Sequence, residues 1–141
     1  MQPGVPTRVL EMDVASAELA NETRCQQIST PHQLDQALRE LQGAQVALVQ
    51  FKAPWCKKCI VVANELKERI GDDVVWICVD IEELEEIAFR FNVATMPRFD
   101  VYSQGHAKSV LEGHGVSTHA ILHAIEEARQ PRPQLDLDAD F

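Results

Sequence analysis

The chain has 141 residues, of which 45% are hydrophobic and 25% charged, a mixture that fits one globular domain and excludes a collagen, a coiled-coil rod and wholesale disorder. Its 13 Lys and Arg stand against 22 Asp and Glu, and the resulting net charge of −9 gives no electrostatic reason to bind nucleic acid or an anionic membrane. No apolar run reaches the roughly 18 residues of a membrane-spanning helix, so we expect no membrane insertion.

The first 24 residues are interpreted as an N-terminal extension, because they carry two prolines and only one weakly amphipathic stretch, Val9–Leu19, that suits a short helix. They show neither the basic-then-apolar pattern of a signal peptide nor the Arg-rich pattern of a transit peptide. We therefore expect an intracellular protein, and the sequence does not distinguish the cytoplasm from an organelle matrix such as that of a mitochondrion or plastid. Cys25–Ser29 is then predicted as a short strand.

Alternating helices and strands are predicted after this point. A helix begins after Thr30-Pro31, a cap-then-proline start signal, and its apolar spacing stops at Gly43. Val46–Phe51 is apolar nearly throughout, which is typical of a strand buried on both faces. A second helix is expected over residues 56–70, followed by a second buried strand over Val74–Val79.

The C-terminal half adds two helices and a hairpin. Glu82–Phe91 is predicted as an acidic helix whose glutamates form a solvated face. After a break at Met96-Pro97, the segments Arg98–Ser103 and Ala107–Glu112 alternate around a Gln-Gly turn and predict a hairpin. Ser117 opens a final helix, whose inward residues recur at helical spacing: Ile121, Leu122, Ile125 and Ala128.

The order of these elements predicts the fold. Two βαβ units require parallel strands with crossover helices, and the closing hairpin adds antiparallel edges. We therefore predict an α/β three-layer sandwich, a mixed central sheet flanked by helices, over residues 25–128. Residues 129–141 are predicted to be an acidic, mobile tail, because a Pro-Arg-Pro stop is followed by three aspartates.

The segment Trp55-Cys56-Lys57-Lys58-Cys59 carries the chemistry, since it lies between a buried strand and a helix start. Two residues between cysteines on a first helical turn bring the sulfurs within disulfide reach. Cys56 stands at the helix N-terminus, where free N–H groups and the helix dipole stabilise a thiolate. Cys59, one turn later, faces the interior. An exposed nucleophile beside a sheltered thiol predicts reversible dithiol–disulfide exchange.

Metal and haem sites have less support in the sequence. A zinc site needs a second Cys/His pair of similar spacing, and a c-type haem needs His where Ile60 stands. His119 and His123 share one face of the final helix, with His114 upstream, but no third ligand is clearly placed. We therefore interpret these histidines as an exposed helix face and expect no metal.

The segment Phe51–Cys59, followed by Ala94-Thr95-Met96-Pro97 and then by Gly113 or Gly115, resembles the thioredoxin family from about residue 25 to residue 128. The resemblance implies the thioredoxin fold and a protein that binds no cofactor. It implies further that Cys56 is the attacking cysteine and that Cys59 resolves the mixed disulfide.

The same resemblance implies a client-binding surface. Pro97 would be a cis-proline that places the backbone of Met96 beside Cys56, where it pairs with an extended client segment as an added strand does. Trp55, Met96 and the turn at Gly113–Gly115 would form an apolar platform rich in backbone groups.

Cys25 and Cys78 are the remaining cysteines of the chain. Cys78 lies in the middle of a strand and is interpreted as a small buried hydrophobe. In a thioredoxin-like strand order Cys25 would lie on the neighbouring strand, so the sequence leaves open whether the two residues pair.

Four positions near the cysteine pair depart from the family's pattern. Lys57-Lys58 replaces the usual Gly-Pro, and its positive charges, with the added N–H of the second lysine, favour the nucleophile's thiolate and a less strongly reducing protein. Gln50 replaces a buried Asp that relays a proton for the resolving thiol, and Trp76 replaces the usual Lys partner of that Asp. The resolving thiol should therefore lose its proton slowly.

We predict a thioredoxin-type thiol–disulfide oxidoreductase that acts on protein disulfides, serves cell redox homeostasis and is a weak general reductase. Its partners would be client proteins and an upstream thiol reductant, and we expect a monomer. The alternative is a redox-regulated, chaperone-like protein that binds unfolded client segments with little turnover. A dedicated oxidant or isomerase is a third hypothesis, favoured by the lysine pair.

Overall fold

A computed structural model describes residues 24–43 and 45–129 of the chain. These residues form five strands: β1 (Gln26–Gln27), β2 (Val46–Lys52), β3 (Val75–Asp80), β4 (Arg98–Ser103) and β5 (His106–Glu112). They also form four helices: α1 (Pro31–Arg39), α2 (Lys57–Leu66), α3 (Glu85–Arg90) and α4 (Thr118–Arg129). The helix predicted in Val9–Leu19 and the tail predicted after residue 129 lie outside the described residues.

The strands form one mixed sheet in the order β1-β3-β2-β4-β5. Strand β3 pairs in parallel with β1 and β2, whereas β4 pairs antiparallel with β2 and β5. Helices α1 and α2 make the crossovers that parallel strands require, and β4 and β5 form the predicted hairpin. This arrangement confirms the predicted α/β sheet flanked by helices.

Helices cover both faces of the sheet. Helices α2 and α4 pack on one face, around a core whose largest side chains are Leu48, Leu66, Trp76, Phe99 and Ile121. Helices α1 and α3 pack on the other face, around Leu34, Phe51, Ile77, Val79 and Ile87. Strand β2 is buried from Val46 to Phe51 because it is the central strand with both faces covered, which explains its nearly continuous apolar sequence.

Three helices are shorter than predicted. Helix α1 ends at Arg39, although the stop was expected at Gly43, because the chain tightens into a turn in which Leu41 N donates to Leu38 O at 3.4 Å. Helix α2 ends at Leu66 instead of continuing to residue 70, because the chain tightens into a turn in which Arg69 N donates to Leu66 O at 2.8 Å. Helix α3 begins at Glu85 instead of Glu82. The carboxylate of Asp80 accepts the backbone N–H of Glu82 at 2.8 Å and holds this segment in a turn before the helix.

The two turns with clear sequence signals form as expected. Thr30 caps α1, with its hydroxyl accepting the N–H of Gln33 at 3.1 Å. The hairpin turn has positive φ at both central residues, 55° at Gln104 and 81° at Gly105, which suits the twist of a two-residue hairpin. In the described ranges, no helix has both the length and the apolar composition to cross a membrane.

Cys25 and Cys78 form a disulfide, with their Cα atoms 6.1 Å apart. Cys25 immediately precedes β1, and Cys78 lies in the middle of β3, which pairs with β1. The structure therefore answers the question that the sequence left open. Cys78 is buried as expected, but as one half of a bond between neighbouring strands.

Candidate active site

Cys56 lies where the loop after β2 enters helix α2. It is the N-cap of that helix, and its Sγ accepts the backbone N–H of Cys59 at 3.2 Å. The backbone N–H of Cys56 itself donates to Ala53 O at 3.0 Å, which closes the turn before the helix. Cys56 and Cys59 form a disulfide with Cα atoms 5.3 Å apart. In the dithiol state the backbone N–H of Cys59 would stabilise a Cys56 thiolate.

Cys56 is more covered than predicted. Cys56 is 6% exposed and Cys59 is 1% exposed. Cys56 is thus the more exposed of the two, as predicted, but it is buried, whereas an exposed nucleophile was expected. Both cysteines pack in a small cluster with Ala53, against the half-buried side chains of Ile81 and Met96. This cluster is distinct from the two main cores, and the residues that flank Cys56 in the chain, Trp55 and Lys57, are exposed.

The two lysines between the cysteines are both exposed. The ammonium group of Lys58 donates a hydrogen bond to the carbonyl oxygen of His114 at 2.5 Å. His114 lies in the turn between Gly113 and Gly115, so this bond connects the start of α2 to the turn after β5. Lys58 therefore contributes both charge near the cysteines and a contact that holds the turn.

Trp55 is 60% exposed beside the cysteines. Its indole N–H donates to the carboxylate of Glu82 at 2.6 Å. Glu82 is exposed, as expected of a solvated face, but its predicted place in a helix is wrong, because the residue lies in the turn before α3. The contact orients the exposed indole and places a negative charge next to it, opposite to the lysines in sign.

The chain returns to the cysteines at Met96-Pro97. The peptide bond between these residues is cis, and Met96 packs against the cysteine cluster. The backbone N–H of Gly113 donates to Pro97 O at 2.9 Å, so the end of β5 lies beside the start of β4. The Cys56–Cys59 disulfide therefore has Met96 packed against its cluster, and the turn at Gly113 is bonded to the next residue, Pro97. Trp55 directly precedes Cys56 in the chain.

Gln50 lies on β2 and is almost fully buried. Its carbonyl oxygen Oε1 accepts the indole N–H of Trp76 at 3.1 Å, and Cys78 Sγ lies 3.5 Å from the same oxygen. The amide oxygen of Gln50 therefore has a hydrogen-bond partner inside the core, and this side chain carries no ionisable group. A carboxylate base at this position is absent, as the sequence indicates.

A buried ion pair at the start of β4 was not predicted. Arg98 Nε donates to the carboxylate of Asp100 at 2.6 Å, and its NH2 group donates to Phe91 O at 3.1 Å. Burial raises the pKa of Asp100, although the hydrogen bond and charge of Arg98 act to lower it. Opposite charges at i and i+2 of a buried strand were the available signal, since they share one face. The pair anchors the residue that follows Pro97 to the end of α3.

Of the three histidines considered in the sequence analysis, His114 lies in the turn that Lys58 contacts, whereas the other two lie on α4. His119 and His123 are exposed on α4, and His123 Nε2 lies 3.8 Å from a carboxylate oxygen of Glu127. Among the residues that the structure describes, no three His, Cys, Asp or Glu side chains converge in a way that would hold a metal ion.

Comparisons with known proteins agree with this geometry. A family model described as Thioredoxin matches residues 25–127. The chain is 24% identical to thioredoxin Y1, a chloroplastic protein of Arabidopsis thaliana, over 89% of this chain and 77% of that protein. It is 32% identical to a thioredoxin of Geodia cydonium, over 58% of this chain and 78% of that protein.

Solved structures share the fold. The oxidised thioredoxin of Plasmodium falciparum superposes with a TM-score of 0.64 at 25% identity, covering 75% of this chain and 99% of that one. The thioredoxin of Fasciola hepatica gives a TM-score of 0.65 at 22% identity, with coverages of 72% and 97%. Since the family match spans most of the chain, the chain belongs to the thioredoxin family of disulfide oxidoreductases.

Proposed function

We propose that this chain is a weak general reductase of protein disulfides, with Cys56 as the nucleophile and Cys59 as the resolving cysteine. The observation that carries the proposal is the position of Cys56 as the N-cap of α2, with its sulfur facing the N–H of Cys59 at 3.2 Å and bonded to the sulfur of Cys59. A helix N-terminus lowers the pKa of a thiol that it caps, and the second cysteine is within bonding reach.

The reaction balances as two thiol–disulfide exchanges. The Cys56 thiolate attacks one sulfur of a client disulfide, forms a mixed disulfide and releases the client's other sulfur as a thiolate. The Cys59 thiolate then attacks Cys56 Sγ, closes the Cys56–Cys59 disulfide and releases the client's second thiolate. Two electrons pass to the client, and an upstream dithiol reductant returns two electrons to the chain.

The client platform is proposed to be formed by Trp55, Met96 and the turn at Gly113–Gly115. Support comes from the exposed indole of Trp55, from the contact of Met96 with the cysteine cluster and from the hydrogen bond between Gly113 and Pro97. An extended client segment would pair with the backbone of Met96, as in strand addition. The lysine pair adds positive charge, which favours clients with acidic residues near their disulfide.

A trapping experiment tests the reductase proposal. In the full chain, Cys59→Ser should retain a client as a mixed disulfide at Cys56, whereas the Cys56→Ser control should retain none. The wild-type chain should also reduce insulin, slowly, with a thiol reductant present. If Cys59→Ser traps nothing and the wild type leaves insulin oxidised, the proposal is contradicted.

A chaperone-like activity is the second candidate, favoured by the Gln50–Trp76 hydrogen bond. This pair leaves the interior beneath α2 without a base for the resolving thiol, while the exposed Trp55 surface is retained. Suppression of aggregation by the oxidised chain, without insulin reduction, would support this candidate. Normal insulin turnover without suppression would exclude it.

The direction of exchange is set by the reduction potential of the Cys56–Cys59 couple. A dedicated oxidant or isomerase, favoured by the two lysines, would have a potential well above that of thioredoxin, which is about −270 mV. Equilibration with glutathione measures this value directly. A potential close to that of thioredoxin would exclude the oxidant.

The organisation of the chain and its compartment are also proposals. We propose a monomer, with residues 25–128 as the catalytic domain between an N-terminal extension and an acidic tail. An organelle is supported by the likeness to a chloroplastic thioredoxin Y1. Fractionation of cells that express the tagged full chain distinguishes an organelle matrix from the cytoplasm.

A further inference from the structure

We propose that Cys25–Cys78 is a structural disulfide that holds the edge strand β1 against β3 and stays oxidised while Cys56–Cys59 is reduced and reoxidised. The chain would thus divide its four cysteines between a working couple and a fixed crosslink. This inference does not depend on the proposed function, since it concerns a bond in the core that the exchange reaction does not use.

The surroundings of the two disulfides differ. Cys25 and Cys78 are 3% and 2% exposed, and both belong to the main core under α2 and α4. Cys56 and Cys59 instead belong to the small separate cluster at the start of α2. A reductant thiolate must approach a sulfur directly, so it can reach the core bond only after an element of the fold has moved away.

The N-terminal edge needs such a crosslink. Strand β1 has only two residues, both exposed, and so contributes little burial of its own. Its remaining attachments include Ile28 N donating to Cys78 O at 3.0 Å and Arg24 donating to Gly71 O at 2.8 Å. The disulfide adds a covalent bond across 53 positions of sequence. A crosslink of that span strongly restricts the unfolded chain.

The contacts at the bond show how it is covered. Gln27, an exposed residue of β1, donates from its side-chain amide to Cys25 Sγ at 3.6 Å. On the inner side, Cys78 Sγ lies 3.5 Å from Gln50 Oε1. Detachment of β1 is therefore the shortest route by which solvent would reach the sulfurs, and it requires breaking the edge pairing first.

Formation of the bond has a simple balance. The thiols of Cys25 and Cys78 lose two protons and two electrons to a small-molecule disulfide such as oxidised glutathione, which becomes two thiols. Reduction is the reverse, with a dithiol such as dithiothreitol as electron donor. Because both steps need access to the sulfurs, the bond is expected to form during folding and to exchange slowly afterwards.

Differential labelling of the folded, oxidised full chain tests the inference. The chain is treated with dithiothreitol without denaturant, alkylated at set times and mapped by mass spectrometry. Cys56 and Cys59 should be labelled first, and Cys25 and Cys78 more than tenfold more slowly, with the difference lost in guanidinium chloride. Labelling of all four cysteines at rates within tenfold of one another would overturn the proposal.

A pair of double variants provides the second measurement. Cys25→Ala with Cys78→Ala should lower the thermal midpoint by roughly 10 to 20 °C, while the reduction potential of Cys56–Cys59 stays unchanged. The matched control, Cys56→Ala with Cys59→Ala, should lower it less, because a short loop restricts the unfolded chain less. A core variant that does not fold agrees with a structural role, and an unchanged midpoint would overturn it.

Discussion

At the scale of single residues, the reactivity of Cys56 is governed by its position at the start of α2. The N–H of Cys59 faces the sulfur at the positive end of the helix, and two lysines follow Cys56 in the chain. All of these favour a thiolate, whereas the burial of Cys56 opposes it. The carboxylate of Glu82, which binds the neighbouring indole, also opposes it. The lysines are exposed, so their share is partly screened by salt.

The lysine pair should measurably activate the nucleophile. Replacing Lys57 and Lys58 together with Gln should slow the alkylation of Cys56 at pH 6 by about two- to fivefold at low salt, because less of the thiol is ionised. Lys67→Gln together with Lys108→Gln, at the C-terminal end of α2 and on β5, removes the same number of charges as a control and should leave the rate unchanged. Equal rates for all three chains, at low and high salt, would show that the lysines do not act on the sulfur.

Gln50 should limit the resolving step. Gln50→Asp places a carboxylate beside the indole N–H of Trp76, in a buried site where its raised pKa suits a general base. We expect mixed disulfides to resolve at least about tenfold faster in single-turnover measurements. Gln50→Asn has the same length as Asp without the charge and is the control. If Asp and Asn give the same rate, proton transfer at this position does not limit resolution.

At the scale of elements, the surroundings of the cysteines depend on how β4 begins and how β5 ends. The turn after β5 is held from two sides, by Gly113 N donating to Pro97 O and by Lys58 donating to His114 O. Gly113 has a φ of 94°, a conformation that residues with a Cβ rarely adopt. The glycine is therefore needed for the path of the chain, independently of any contact with a client.

The two glycines of this turn should respond differently to the same substitution. Gly113→Ala should cost about 1 to 2 kcal/mol in the free energy of unfolding, because the added Cβ is strained at positive φ. Gly115→Ala should be nearly neutral, since its Cβ would meet no atom within 4 Å and its φ lies outside the strained region. Urea denaturation of both variants measures this, and similar losses would contradict the assignment.

At the scale of the whole molecule, the fold buries an ion pair on β4 and connects it to groups on other elements. Arg98 joins Asp100 on β4 to the carbonyl of Phe91 after α3, and its guanidinium lies 5.3 Å from the ring of Phe51. Such a buried pair is costly to form but much more costly to break, because the remaining partner stays charged or unpaired in the core. It thereby fixes the start of β4 behind the cis-proline.

Breaking this pair should destabilise the molecule far more than breaking a surface pair. Arg98→Met should lower the free energy of unfolding by about 3 to 5 kcal/mol, since Asp100 loses its partner. Arg90→Met, which breaks the exposed pair with Asp35 at 2.9 Å, should cost less than about 1 kcal/mol. Chemical denaturation compares the two, and equal losses would show that the buried pair is not a stabilising anchor.

The family, the mixed sheet and the working cysteine pair follow from the sequence alone. The sheet and the cysteine pair depend on local patterns: apolar periodicity, a cap before a helix, and two cysteines one helical turn apart. The family is identified by the resemblance of the segments Phe51–Cys59 and Ala94–Pro97. The ends of α2 and α3 were less well predicted, because hydrogen bonds in a turn override the apolar spacing there.

The tertiary structure decided the contacts between residues far apart in the chain. Cys25 meets Cys78, Trp55 meets Glu82 and Lys58 meets His114 only because the strand order brings their segments together. The coverage of Cys56 was likewise set by packing, since Met96 and Ile81 approach it from other loops. A local pattern specifies which residues face inward, whereas the partner that each one meets depends on how the layers close around it.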